Sequence, residues 1–314
     1  MDHKQIKPGL FHKDRDLSPY LVFGLMLIYT IVAALCYTAI KAGLKYSPPF
    51  YFAGLRTIIG GISLIALLFV LKKPILPRRD LIKWIVPVGL VSTTITFGFM
   101  FSSPEFTGAG IASVLGNSQP LTIIILASIF LNEKITLIKM IALILGMVGI
   151  ILISIEAFMG DESYAFIGAM LATGTSIGAA ITAVLLKRLK PGSDLISFTG
   201  WQLIAGSIPL LAGSFFFESQ STFAWSGVFL GLVIFLGVIG TALTEIIWFW
   251  LLQKYDAGKL SLYLFLIPVF GLLIAFFVFG ETLQILEIIG IVIVISAIGL
   301  SVINEFGLNR FKKH

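Results

Sequence analysis

The chain has 314 residues, 58% of them apolar before its 31 glycines are counted and 12% charged, with a mean hydropathy of +1.02. Soluble domains run nearer a quarter charged, and this composition cannot cover a water-facing surface with polar groups, so most of the solvent is lipid. One cysteine excludes an intramolecular disulfide framework, three histidines confined to the terminal segments exclude a His-rich metal or catalytic cluster, and a formal charge of +6 points to nucleic acid only if the basic residues share one patch.

Apolar stretches long enough for a bilayer, roughly 20 residues each, recur along the chain between charges, Pro and Gly. The pattern predicts an all-α integral membrane protein of ten transmembrane helices. They run from Leu21 to Leu44, Phe50 to Leu71, Ile82 to Phe101, Gly108 to Leu131, Leu137 to Ile155, Tyr164 to Leu186, Leu195 to Phe217, Trp225 to Leu252, Lys259 to Phe279 and Leu286 to Ile303. Backbone inside lipid must satisfy its own hydrogen bonds, so spans of this length are helices, and the short alternating strands of a membrane barrel are absent. The first span is too long for a signal peptide and no small-residue cleavage pattern follows it, so it is expected to stay attached.

Lys and Arg set the direction. With the N-terminal segment and every second connection on one side, that side collects all 22 basic residues except Lys41, Lys45 and Arg56. Glu105, Glu156, Asp161, Glu162 and Glu218 fall on the other side. Both termini are therefore predicted to be cytoplasmic, in a multi-pass protein of the inner cell membrane. The positive charge marks membrane edges, and no nucleic-acid partner is needed to explain it.

Sliding the chain against itself exposes a repeat. At an offset of 146, Ala33 matches Ala179, Lys41 matches Lys187, Gly54 matches Gly200 and Gly60 matches Gly206. At 148, Thr93 matches Thr241, Gly110 matches Gly258, Pro120 matches Pro268 and Glu133 matches Glu281. The chain divides into a cytoplasmic segment 1–20, a five-helix repeat 21–155, a second five-helix repeat 164–303 and a cytoplasmic tail 304–314. Five is odd, so the second repeat enters the membrane from the opposite side. Inverted halves can exchange conformations about a pseudo-two-fold axis in the membrane plane, which makes alternating access around one midplane site the expected mechanism.

These residues resemble the EamA-type branch of the drug/metabolite transporter superfamily. The likeness rests on the run from Ala112 to Thr136, with Pro120 in mid-span and the ending Phe130-Leu131-Asn132-Glu133-Lys134, and on its second copy from Ser261 to Leu283 with Pro268 and Gly280-Glu281. Ile40 to Leu44, Ser47-Pro48-Pro49 and Leu55-Arg56 match as well. The resemblance implies a ten-helix transporter, often an exporter of amino acids or other small metabolites, with a cavity formed mainly by spans 1, 3, 4, 6, 8 and 9. The chain departs from the pattern where the family often has Trp-Gly in the first span and Trp in the sixth: it has Ala33-Ala34 and Gly178.

Glu245 lies about seven residues, roughly 10 Å, from the inner end of span 8, where a carboxylate is costly unless it faces water or a partner. It is either a proton-coupling site or contact for a cationic substrate group, or a protonated bridge between helices. Arg56 lies about two turns inside the outer end of span 2, in the opposite half of the membrane, where it is an interface anchor, a gate or a carboxylate contact. Ser113, Gly116, Asn117 and Pro120 form a polar stripe on span 4, and Pro120 is expected to loosen the helix near Gly116. Ser261, Tyr263, Phe265 and Pro268 repeat this on span 9. Thr93, Thr96 and Met100 on span 3, with Thr241, Thr244, Glu245 and Trp248 on span 8, form further stripes; their threonines line the site or bond to their own backbone. Thr30 and Tyr37 on span 1, with Thr173 and Ser176 on span 6, complete the expected lining. Gly174 with Gly178, and Gly227 with Gly231, fit close helix contacts. Glu133 and Glu281 are read as structural, each binding free amides at the start of the helix that follows it.

A secondary carrier that moves a small organic solute outward is the leading reading. No cofactor, metal or Walker-type phosphate loop is expected. A membrane-embedded enzyme would need paired carboxylates, a His cluster or a nucleophile with its base at membrane depth, and none is found. A scaffold or receptor would show no flux, and a channel no saturation or counterflow. The expected partners are a small-molecule substrate and the lipid bilayer, with the protein a monomer or dimer.

Overall fold

The computed structural model describes residues 18–106, 115–155, 165–218, 224–279 and 282–311, so Ser113 and Glu281 lie outside the described residues. Among the described residues every regular element is helical. The first two spans are α1 (Pro19–Gly43) and α2 (Pro49–Val70). The third runs through α3 (Arg79–Gly89), a π-helical stretch (Leu90–Ile95) and α4 (Thr96–Phe106). Then come α5 (Gln119–Leu131), α6 (Leu137–Ile153), α7 (Ala165–Leu189) and α8 (Leu195–Phe217). The eighth span is α9 (Gly227–Ile234), a second π-helical stretch (Phe235–Leu243) and α10 (Thr244–Lys254). The ninth is α11 (Ala257–Leu262), a 3-10 turn (Tyr263–Phe265) and α12 (Leu266–Phe279), and α13 (Ile285–Phe311) ends the order.

Seven of these helical runs are long and apolar enough to cross a membrane, and Gln119–Leu131, Leu137–Ile153 and Ile285–Ser301 are shorter apolar helices. The 13 residues of α5 rise only about 20 Å, short of a hydrocarbon core of roughly 30 Å. Local signals set the ends. Ser18 and Thr136 accept from the amides of Leu21 and Lys139, Pro19 follows the first cap, and Asn132 ends α5 in the left-handed conformation at φ 55°.

The spans that carry Pro120 and Pro268 are broken, not merely loosened. Asn117 and Ser118 form a turn, and Pro120 sits in the first turn of the new helix α5. In span 9 the 3-10 turn precedes Pro268 in α12. A proline ring clashes with the carbonyl four residues back, and interrupting the helix upstream relieves that clash. Spans 3 and 8 depart from α-geometry differently. Their π-helical stretches overlap under the repeat offset, and in each a threonine hydroxyl reaches the carbonyl five residues back: Thr96 to Val91 at 2.7 Å and Thr241 to Leu236 at 2.8 Å.

The two repeats interlock. α2 packs along α8 and α6 along α13, which are equivalent spans facing one another across the internal axis. α4 and α5 pack on α7, and α10 and α12 pack on α1, again related by exchange of the halves. Glycines permit the tightest crossings. A Cβ at Gly61 would stand 2.7 Å from the Gly200 carbonyl oxygen, one at Gly290 2.7 Å from that of Gly149, and one at Gly206 would overlap the Gly89 carbonyl. Gly174 and Gly178 abut Phe99 and Thr96 as expected, but Gly227 and Gly231 meet nothing within 4 Å, so that pair makes no close contact with a described neighbour. Gly206→Ala is expected to lower the apparent Tm by about 5 °C or more, because a backbone carbonyl cannot swing aside. Gly231→Ala should leave it unchanged or slightly raised; a thermal melt of both variants checks this.

Glu133 differs from its sequence-based reading. Its carboxylate accepts from the amides of Ala257 and Gly258 at 2.9 and 3.1 Å, at the start of α11 in the other repeat. The helix that follows it, α6, is capped by Thr136 instead. Glu218 likewise accepts from the amides of Phe50 and Tyr51, at 2.6 and 3.1 Å, across the repeats.

Candidate functional site

A cavity of about 140 Å³ lies between the repeats. Span 1 contributes Tyr29, Ala33, Cys36 and Tyr37, and span 3 Ser92, Thr96, Phe97 and Met100. Gln119 and Ile123 come from α5, and Thr175, Ala179 and Thr182 from α7. Gly240, Thr244, Glu245, Trp248 and Phe249 come from span 8, with Ile267 from α12 and Arg56 from α2. Ser92 and Gly240 of this lining lie in the two π-helical stretches, and Gln119 opens α5 just after the turn in span 4.

Arg56 is 4% exposed, so it does not snorkel to the interface as an anchor would. Its Nε donates to Thr241 Oγ1 at 2.6 Å and its Nη2 to the Gly240 carbonyl at 2.8 Å, both in the π-helical stretch of the other repeat. The guanidinium carbon stands 4.9 Å from the centre of the Phe97 ring and 6.0 Å from that of Phe101. Nη1 is buried with no hydrogen-bond partner among the described residues. A cationic N–H left unpaired in this setting is costly unless something in the cavity accepts from it.

Glu245 lines the same cavity, and its Oε2 accepts from Gln202 Nε2 at 3.0 Å. Arg56 and Glu245 line one cavity and form no ion pair with each other. Two opposite charges on one small cavity can hold a molecule bearing both an anionic and a cationic group, each charge desolvated with a partner.

Tyr37, Thr96 and Trp248 also line the cavity, and the Trp248 ring stacks on Tyr29 at 5.6 Å. Several expected residues lie elsewhere, Thr30, Thr173 and Thr241 among them. Ser176 is fully buried and bonded to Thr122 Oγ1 at 2.9 Å and Ser118 Oγ at 3.2 Å, which joins α7 to α5. Thr93 is fully buried where span 3 crosses Gly206 of α8. Asn117 sits buried in the turn before α5, and Tyr263 is buried in the 3-10 turn, 6.2 Å from the Phe23 ring. Thr96, Thr175, Thr182 and Thr244 present methyl groups more than free hydroxyls, since each hydroxyl donates to a backbone carbonyl of its own helical run.

Gln202 was not anticipated as a site residue, although a glutamine in mid-span is the same signal that marks Glu245. The aromatic lining does not come from the positions where the resemblance puts tryptophan. Ala33 stays small there and Gly178 is not in the lining, and Tyr29, Tyr37, Phe97, Trp248 and Phe249 supply the rings.

Interlocked repeats around a cavity with buried charges define a polytopic membrane protein of the transporting kind. The chain belongs to the EamA-like transporter family, whose family model matches it twice, over residues 21–155 and 166–303. It is 32% identical over 264 residues to "Uncharacterized transporter YvbV" of Bacillus subtilis (strain 168), covering 83% of this chain and 84% of that protein. "Uncharacterized transporter YoaV" of the same organism is 26% identical, covering 90% and 96%. The "Probable amino-acid metabolite efflux pump" of Escherichia coli (strain K12) is 26% identical, covering 92% and 96%. A solved crystal structure of a protein 18% identical in sequence superposes with a TM-score of 0.78, covering 93% of this chain and 98% of that one, and shares the fold.

Proposed function

We propose that the chain is a secondary carrier that moves a small zwitterionic metabolite, of the amino-acid type, outward across the cell membrane by alternating access. On this reading all ten helices cross the bilayer, both termini are cytoplasmic, and no bound nucleotide or other cofactor takes part. The observation that carries the proposal is the shared cavity, whose lining brings together Arg56, with its buried Nη1 unpaired among the described residues, and Glu245, between inverted repeats. Arg56 takes the solute carboxylate, Glu245 takes its ammonium group or a coupling proton, and the ring-lined wall takes its apolar part. The named efflux pump among the relatives supports the solute class and the direction.

Reconstitution into liposomes with a panel of labelled amino acids, amines, organic acids and polyols, at several pH values, tests this. Saturable counterflow of a zwitterion is the expected result. Flux without saturation or counterflow would indicate a channel, and no flux from any of the panel would indicate a scaffold or receptor.

A further inference from the structure

At the cytoplasmic end, as the charge distribution orients the chain, four charged side chains join the two repeats away from the cavity. Lys187, at the end of α7, donates from Nζ to Glu133 Oε1 at 2.6 Å and also to the Tyr255 carbonyl. Glu133, after α5, holds the amides of Ala257 and Gly258 in the opposite repeat. Lys139, on α6, donates from Nζ to Asp256 Oδ1 at 2.7 Å and to the Lys134 carbonyl at 3.0 Å. Asp256 also accepts from the Lys259 amide at 3.0 Å. The Glu133 and Lys139 side chains are only 10% and 6% exposed.

We infer that Glu133, Lys187, Lys139 and Asp256 form an ionic latch that holds the cytoplasmic side of the cavity shut and parts when the carrier turns inward. The inference rests on the carrier reading and on the orientation proposed with it. Apolar packing would join two halves permanently at no lower stability, since buried ion pairs recover little beyond their desolvation cost. Charged pairs differ in that each partner rehydrates when separated, so the closed and open arrangements can lie close in free energy. Burial works to raise the Asp256 carboxyl, but its hydrogen bond to Lys139, the Lys139 charge and the Lys259 amide hold the group below the ordinary aspartate range. Its share of the latch is therefore present at neutral pH and lost only as pH falls through that lowered value.

The chain supplies its own reporter. Cys36 is its single cysteine, lines the cavity and is 2% exposed, so a charged, membrane-impermeant thiosulfonate reaches it only through an open cavity. Labelling is followed by mass in right-side-out and inside-out vesicles, with Cys36→Ser as the blank. The unaltered protein should label faster from outside. Glu133→Gln and Lys187→Met should each raise labelling from the cytoplasmic side at least about tenfold and slow it from outside. Unchanged rates in both variants, each eluting as a monodisperse peak, overturn the latch while solute counterflow leaves the carrier standing. Faster cytoplasmic labelling of the unaltered protein overturns it without any variant. Failure to label from either face, with no counterflow, removes the carrier reading and the latch with it.

Discussion

Glu245→Gln is expected to fold normally yet to lose the pH dependence of transport and most of its rate for an ammonium-bearing solute. Glutamine has the shape of the glutamate it replaces and keeps a carbonyl oxygen for Gln202 Nε2, which stands 3.0 Å from the native carboxylate. Packing is therefore preserved and charge alone is lost. A hydrogen bond to a charged group is worth about 1.5–3 kcal/mol, which corresponds to roughly 10- to 150-fold in the half-saturating concentration of the solute. Counterflow kinetics across the pH range, beside a thermal melt, measure both parts. The same variant separates the two readings of this residue. If Glu245 were only a protonated bridge to Gln202, glutamine would reproduce it, and wild-type rates with an unchanged pH profile would be seen. Replacing Gln202 itself would not discriminate, because that removes the bridge on either reading.

Legibility in the sequence followed what a linear pattern can encode. Hydropathy contains the all-helical, membrane-spanning character of the chain, and residue matches 146 to 148 apart contain the internal symmetry that the paired packing of α2 on α8 and α6 on α13 displays. Glu245 and Arg56 stood out because charge inside an apolar span has few tolerable surroundings. What escaped were choices between neighbours. Helical periodicity puts Ser176 on an inward stripe, but inward means either the lumen or another helix, and its hydroxyl is taken by Thr122 and Ser118. Glu133 was matched to the helix next in sequence, whereas an inverted repeat brings the start of α11 nearer than chain order suggests. The aromatic lining was hidden among 27 phenylalanines, since rings facing lipid and rings facing a cavity look alike in one dimension.

Arg56→Lys is the other substitution with a large expected effect, and it isolates geometry from charge. The native guanidinium divides its donors: Nε binds Thr241 Oγ1, Nη2 binds the Gly240 carbonyl, and Nη1 is buried with no partner among the described residues. Lysine keeps the positive charge but concentrates its donors on one nitrogen at the end of a flexible stem, so it cannot hold both protein acceptors and still present a planar edge to a carboxylate. The field in the cavity survives while the positioned donor does not. Transport of carboxylate-bearing solutes should fall about 10- to 100-fold, the loss expected for one charge-assisted hydrogen bond, whereas any polyol carried by the unaltered protein should move within about threefold of its usual rate. Arg56→Met should impair both solute classes and lower thermal stability, because it removes the cation that ties α2 to span 8 across the repeats. Competition between a zwitterion and a polyol in the same vesicles gives the ratio directly. An equal loss for both solutes in Arg56→Lys would make the residue a strut between the repeats and not a ligand contact, and the carboxylate end of the proposed site would then have to be sought among other cavity donors such as Gln119.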